Sequence, residues 1–541
     1  MAANKPYDVE EFIAVWNDLT NYPERSDVAV HFDVSLTTIK RRATKIRKEL
    51  PTALINRHNV VQKAAVPANS GKFAPQVATE IHVITCAQNN TNAHPAFKTL
   101  QRYCKDRNAE LHVVPLAYKT ATPSTDHKTD ARWWDSEFMP YLMQPGQSLE
   151  IANGHGVIIA NQIQMTAANP VQGYESIGGD KWVFLGHPQV QMRVTPTAAG
   201  KIPKLVYTSG AMTEKNYREG TAGAKGDFHH SISATVVEVC GNQMHVRQIG
   251  ADSKNVIFDI WGQWQSSKSL PLDGVAGLVT GDEHEFFYSP TVKAATYGPS
   301  GMVQTLKAAS IVRHDVLDFW SRNHHHEGDP IINFVKHHSG TNSVERELDQ
   351  CVAHLDETSP FDKPWFEENI IVASNHPEAL MKWLRRADVK NDPENALIYH
   401  RLWTELYQAA RLADAGAETL DPFEWYVKEM SENGHRFVGR DEELMIAGID
   451  CGQHGDVGAN GARGSAKGFA KGANKMIIGH SHTPAIEKGV YQVGHGTDGM
   501  NYARGHSGWM QTNAVIYPNG KRSLLHVLPG IGWASENMRA P

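Results

Sequence analysis

A chain of 541 residues with 41% hydrophobic and 21% charged residues and a formal net charge of -6 is globular in composition and too long for a single core, so about three or four domains are predicted. No apolar run approaches the roughly 18 residues of a membrane helix, and the MAANKPYDVEEF amino terminus lacks the basic and apolar regions of a secretory signal, which predicts a cytoplasmic protein. The acidic balance excludes a global attraction to nucleic acid and leaves it to local basic patches; five cysteines without a CxxC pair predict free thiols in a reducing compartment.

The first patch comes early. Apolar Val9, Phe12, Ile13, Trp16 and Leu19 keep helical spacing behind an Asp8/Glu11 pair that resembles a capping box. A second short helix runs from Ser26 through Val28, Ala29 and Phe32. A third spans 36–50, with Lys40, Arg41, Arg42, Lys45, Arg47 and Lys48 against one acid, Glu49. Three short helices with a basic last one resemble a helix-turn-helix module, whose recognition helix lies in the major groove. The resemblance implies DNA contact by residues 1–60, through Lys40, Arg41 and Arg42.

Residues 61–80, rich in Ala, Pro and Gly, predict a linker. Strand-like 81–85, helical 95–105 and strand-like 111–115 then suggest a βαβ unit, followed by strand-like runs at 156–160, 182–185, 205–208 and 233–239. This region, 81–250, reads as an α/β middle domain to which the sequence assigns no chemistry.

From 251 to the end, polar clusters repeatedly follow apolar runs. Asp282 and His284 follow 275–279, Asp315 follows 311–312, and Asn375 with His376 follows 370–373. His454 follows 444–449, and His480 with His482 follows 476–478. Ligands collect at the carboxyl ends of strands in open α/β sheets, so these clusters are predicted to meet in one crevice. Alternation along a strand puts His480 and His482 on one side of its end, where two imidazoles can meet an ion.

In order, the clusters read GDEH, HDVLD, SNHP, QHGD and GHSH, which resembles the calcineurin-like metallophosphoesterases, and within them the nuclease branch. That resemblance implies an α/β fold, a β-sandwich flanked by helices, and two divalent metal ions, Mn²⁺ by analogy with the nucleases. Carried over residue by residue, it implies that Asp282, His284 and His482 hold one ion, that Asn375, His454 and His480 hold the other, and that Asp315 bridges both. His376 would steady or protonate the leaving oxygen. His314 stands where the family has glycine, and Ser374 and Pro377 flank the Asn-His pair where it has glycine and an acid; Pro377 removes a carboxylate that orients the neighbouring histidine.

The substrate is read from a second basic patch between His454 and His480. Arg463 lies in a glycine-rich loop, and Ser465 can cap a helix carrying Lys467, Lys471 and Lys475 at four-residue spacing on one face, predicted at the rim of the site. His325 and His326, after the second motif, are further candidate phosphate contacts. The segment 378–443 has helical patterns that fit a cover over the site or an interface in a homo-oligomer, and 514–517 with 523–528 fit a hairpin around Pro-Asn-Gly. The arrangement resembles phage-encoded members of the superfamily that degrade host DNA, which implies a metal-dependent DNase with DNA as partner, no membrane, and the host bacterial cytoplasm as compartment. The alternatives are a phosphatase or phosphodiesterase acting on nucleotides or phosphoproteins, and a DNA-binding regulator without turnover.

Overall fold

A computed structural model of the chain describes residues 7–18, 21–22, 25–34, 36–50, 53–54, 77–117, 132–198, 200–412, 420–472, 475–498 and 505–535. Among them the strands form sheets of four, three, six and ten members, with helices between, so the protein is mixed α/β.

Two sheets face each other and carry the candidate site. In the six-stranded sheet, Val275–Val279, Ala308–Arg313, Glu368–Val372 and His435–Val438 run parallel, and the antiparallel hairpin Thr512–Ile516 and Arg522–His526 closes the other edge. Runs of Val, Ile and Leu suit strands buried on both faces. Period-two alternation sends Val279, Val312 and Ile370 into a core shared with Ile446, Ile449 and Ile477 of the ten-stranded sheet. Leu278 and Ile311 point the other way, onto helices Pro290–Tyr297 and Met302–Leu306. Each such side chain contributes about 1.5–3 kcal/mol by leaving water. Pro290 opens its helix behind Ser289, whose hydroxyl accepts from the Val292 N–H, the arrangement that satisfies a free amide in the first turn.

In the ten-stranded sheet Met476–Ile478 lies parallel to Val490–Gln492, which pairs antiparallel with Ala485–Glu487. That last strand would be a bare edge, but Gln191–Thr195 pairs with it through Ile486 and Met192, and the sheet continues through Lys204–Thr208, Trp182–Leu185, Gly156–Ile159 and Ser148–Ile151. Residues 148–208 therefore complete the same sheet as 445–492. The boundary expected near 250 does not separate two cores, because backbone hydrogen bonds and one apolar cluster cross it. The βαβ unit is present as Glu80–Gln88, helix Ala96–Asp106 and Glu110–Leu116, with Ser233–Cys240 and Gln243–Gly250 added antiparallel.

In the region expected to be an insertion, helices Glu378–Arg386, Ala396–Leu412 and Pro422–Met430 pack with Val344–Thr358 against the six-stranded sheet, through Leu380, Trp383, Leu402, Tyr426 and Ile371. All five cysteines are buried thiols. Among the described residues no helix is long and apolar enough to cross a membrane.

The amino-terminal helices Val9–Asn17, Arg25–His31 and Leu36–Glu49 enclose Phe12, Trp16, Val28, Ile39 and Ile46. Leu19 and the expected linker, up to residue 76, lie outside the described residues. Two of the three side chains expected on DNA are engaged within the protein. The Lys40 ammonium donates to the carbonyls of Glu429 (3.1 Å) and Ser431 at the end of helix Pro422–Met430, where a cation meets the carbonyl end of the helix dipole; the Thr44 hydroxyl donates to Glu432 (2.6 Å). Arg42 is buried, its guanidinium 4.1 Å from the Tyr7 ring centroid. Arg41, Lys45 and Lys48 remain exposed, and their spacing of four and seven puts them on one helical face.

Candidate metal centre

Every polar cluster expected at the site begins within four residues of a strand end: Asp282 after Val279, Asp315 after Arg313, Asn375 after Val372, His454 after Asp450 and His480 after Ile478. The first three leave the six-stranded sheet and the last two leave the ten-stranded one, so the site sits at the mouth of the sandwich. The backbone there is strained. His284, Asp315, His480 and His482 have φ of +44°, +42°, +73° and +58°, a region that non-glycine residues seldom adopt and that clusters at functional sites.

The side chains form three overlapping groups, Asp282/His284/His482, His284/Asp315/His376 and Asp315/His454/His480, each with its donor atoms within 4.8 Å of one another. His284 and Asp315 each belong to two groups. His482 Nε2 lies 3.1 Å from Asp282 Oδ2 and 3.1 Å from His284 Nε2. On the other side His454 Nε2 is 3.1 Å from Asp315 Oδ2, and its Nδ1 is 3.9 Å from Asp282 Oδ1, which ties the halves together. Asn375 precedes His376, and its buried Oδ1 makes no hydrogen bond; the same holds for His482 Nδ1.

The donor set fits divalent cations. The His284 Nδ1–H donates to Asp318 Oδ1 at 3.0 Å, so Nε2 presents a lone pair towards the lone pairs of His482 and Asp282. Lone pairs meeting at 3.1 Å repel unless a proton or a metal stands between them. Imidazoles, carboxylates and an amide oxygen without thiolate suit Mn²⁺, Fe²⁺ or Zn²⁺ better than Ca²⁺.

Electrostatics points the same way. Burial would raise the carboxyl of Asp282, but His454 and His482 outweigh it and hold it well below the carboxylate range; Asp315 is held down against burial by His454 and His376. Burial opposes charge on His454, yet Asp315 and Asp282 push it up to about 9. A cation that takes His454 as ligand must displace that proton. Apparent Mn²⁺ affinity is therefore expected to rise by about tenfold per pH unit between pH 6 and 8 and to level off near 9; calorimetric titrations across that range check it, and a flat profile would rule it out.

Two contributors were not assigned roles from sequence. Asp318, three residues after Asp315, orients His284 and, through its carbonyl, accepts from His376 Nδ1 at 3.0 Å. It thus supplies the orientation for His376 that Pro377 cannot. His314 places Nδ1 3.3 Å from His454 Nδ1, and burial, then His454, lowers its pKa to about 4, so it acts as a neutral wall. The spacing within HDVLD was the available signal for Asp318; for His314 there was none.

The expected substrate contacts are dispersed. Gly464 donates its N–H to the Asp456 carbonyl at 2.9 Å, which keeps Arg463 beside the His454 loop, exposed. His325 is exposed, and His326 packs against Trp320 with ring centroids 4.7 Å apart. The helix after Ser465 covers only Ala466–Phe469, so Lys467, Lys471 and Lys475 do not share a helical face. Lys471 and Lys475 line a cavity, and strand Met476–Ile478 separates Lys475 from His480.

Protein A1 of Escherichia phage T5 is 32% identical over 459 residues, covering 82% of this chain and 81% of that protein. No family model matches the chain, and no solved structure does. With four-fifths of each sequence aligned at that identity, the chain belongs to the family of Protein A1 of Escherichia phage T5.

Proposed function

We propose that the chain is a metal-dependent DNase with a calcineurin-like metallophosphoesterase core, acting on host DNA in the bacterial cytoplasm. The observation that carries this reading is the convergence of Asp282, His284, Asp315, His376, His454, His480 and His482 from separate strand ends onto three overlapping donor groups. Asp282, His284 and His482 would hold one divalent ion and Asn375, His454 and His480 the other, with Asp315 shared. Bound there, such ions supply Lewis acidity towards a phosphodiester and acidify water.

The chain's own groups do the rest. Asp318 fixes the tautomers of His284 and His376. With Nδ1 held by the Asp318 carbonyl, His376 is left to carry a proton on Nε2; burial opposes that charge, and Asp315 with Asp318 outweighs it, so the ring can protonate a leaving alkoxide near neutral pH. Arg463 and His325, both exposed, would meet phosphate, and the Arg41/Lys45/Lys48 face would supply backbone contacts whose strength falls with salt.

Incubation of the full chain with supercoiled plasmid and Mn²⁺, beside bis-p-nitrophenyl phosphate, tests the reading. Relaxed or linear plasmid with Mn²⁺ and intact plasmid with EDTA are expected. Hydrolysis of only the small ester would replace the DNase with a phosphodiesterase, and neither reaction under any divalent metal would leave a binding protein.

A further inference from the structure

The end of the sheet opposite the metal centre holds a second concentration of charge. Strand Met476–Ile478 begins after Lys475 and ends before Gly479 and His480, and its parallel neighbour Val490–Gln492 begins after Lys488. Lys471, Lys475, Lys488, Lys521 and Arg522 thus gather at the starts of these strands, around a cavity of about 1170 Å³ where the six-, ten- and four-stranded sheets meet. Among the described residues its acidic lining is Glu214 and Asp252, so five cations face two carboxylates.

The cations are poorly neutralised from within. Among the described residues no carboxylate lies within ion-pairing distance of any of the four lysines. Arg522 donates through Nη1 to the carbonyls of Met476 (2.9 Å) and Gly489 (2.8 Å) and lies over the Tyr491 ring at 4.3 Å. Burial, then Lys475 and Arg522, lower the pKa of Lys521 against the pull of Asp252. Holding like charges together out of water is unfavourable unless an anion joins them. At the mouth, Phe228 is 67% exposed and meets the His229 ring at 5.0 Å, an apolar plane of the kind on which a base stacks.

We propose that this cavity binds a nucleotide carrying several phosphates, with Lys475, Lys488 and Lys521 on the phosphates and Phe228 against the base. Its volume of about 1170 Å³ is enough for one nucleotide. Lysine ammoniums serve phosphate as point charges without demanding one geometry. The site lies at the start of the strand that His480 and His482 follow, so it is independent of the metal centre and of the DNase reading.

Calorimetry on the full chain in EDTA, with dATP and inorganic tripolyphosphate as probes, tests this while the metal centre is disabled. One saturable dATP site per chain is expected, weakened at least about tenfold by Lys475→Gln with Lys521→Gln. Phe228→Ala should weaken dATP and leave tripolyphosphate unchanged. If the double variant does not fold by thermal denaturation, Lys488→Gln in its turn serves instead, with a weakening of the same sign. Absence of saturable binding for both probes, or unchanged binding in the lysine variants, overturns the site. Equal binding of the two probes with no effect of Phe228→Ala overturns the nucleotide.

Discussion

Asp315→Asn is expected to lower plasmid cleavage by at least about a thousandfold and to reduce bound Mn²⁺ from two per chain to one or none. Asp315 shares one donor group with His284 and another with His454 and His480, members of each proposed ion position, so its charge would serve both ions, whereas His284, the other residue in two groups, carries no negative charge. Asparagine is the informative replacement. It keeps the shape, and at φ +42° it tolerates the left-handed backbone that alanine would adopt only at about 1–2 kcal/mol. Loss of activity can then be assigned to the carboxylate. The variant should stay folded: His454, whose raised pKa depends on Asp315, loses its proton near neutral pH instead of remaining a buried unpaired charge. Metal analysis of the purified variant beside its melting curve separates the outcomes. Two bound ions with near-normal cleavage would remove Asp315 from the bridging position.

Much of this site was legible in the sequence because its ligands obey a local rule, a polar residue just past an apolar run, which chain order preserves even when the fold scatters the segments. The hairpin of Thr512–Ile516 and Arg522–His526 and the βαβ unit were legible for the same reason. The rule fails where partners are chosen across long separations. Nothing in 191–195 signals that this strand covers the edge at Ile486, so a chain that reads as two successive α/β regions folds with one continuous sheet through both. The basic helix failed differently: composition registers Lys40 and Arg42 as charges, but only packing reveals that one meets the carbonyl end of a distant helix and the other lies under Tyr7. Four-residue lysine spacing around 467–475 suggested a helix that ends after one turn, and with it went the placement of Lys471 at the catalytic rim.

Gly479 carries the second large effect, and it was legible only as the glycine of GHSH. Its φ lies outside the left-handed region, so its role is space. A Cβ at this position would stand 2.4 Å from Asp282 Oδ1 and 3.1 Å from the His314 ring. The strand end therefore abuts the carboxylate directly, and the His480 N–H donates to that same oxygen at 3.1 Å. Alanine must push Asp282 aside or tilt the turn that carries His480 and His482; overpacking of this kind costs about 1–3 kcal/mol. Displacing ligands by about 1 Å lowers turnover by roughly a hundredfold. Gly479→Ala is thus expected to fold with a modestly lower melting temperature, to bind Mn²⁺ weakly and to cleave plasmid about a hundredfold more slowly. Excess Mn²⁺ should restore occupancy without restoring full rate, since the fault lies in where the donors stand. Wild-type cleavage in this variant would mean that the carboxylate of Asp282 sits in the fold for packing alone, and the close approach of strand end to ligand would then have no part in the chemistry.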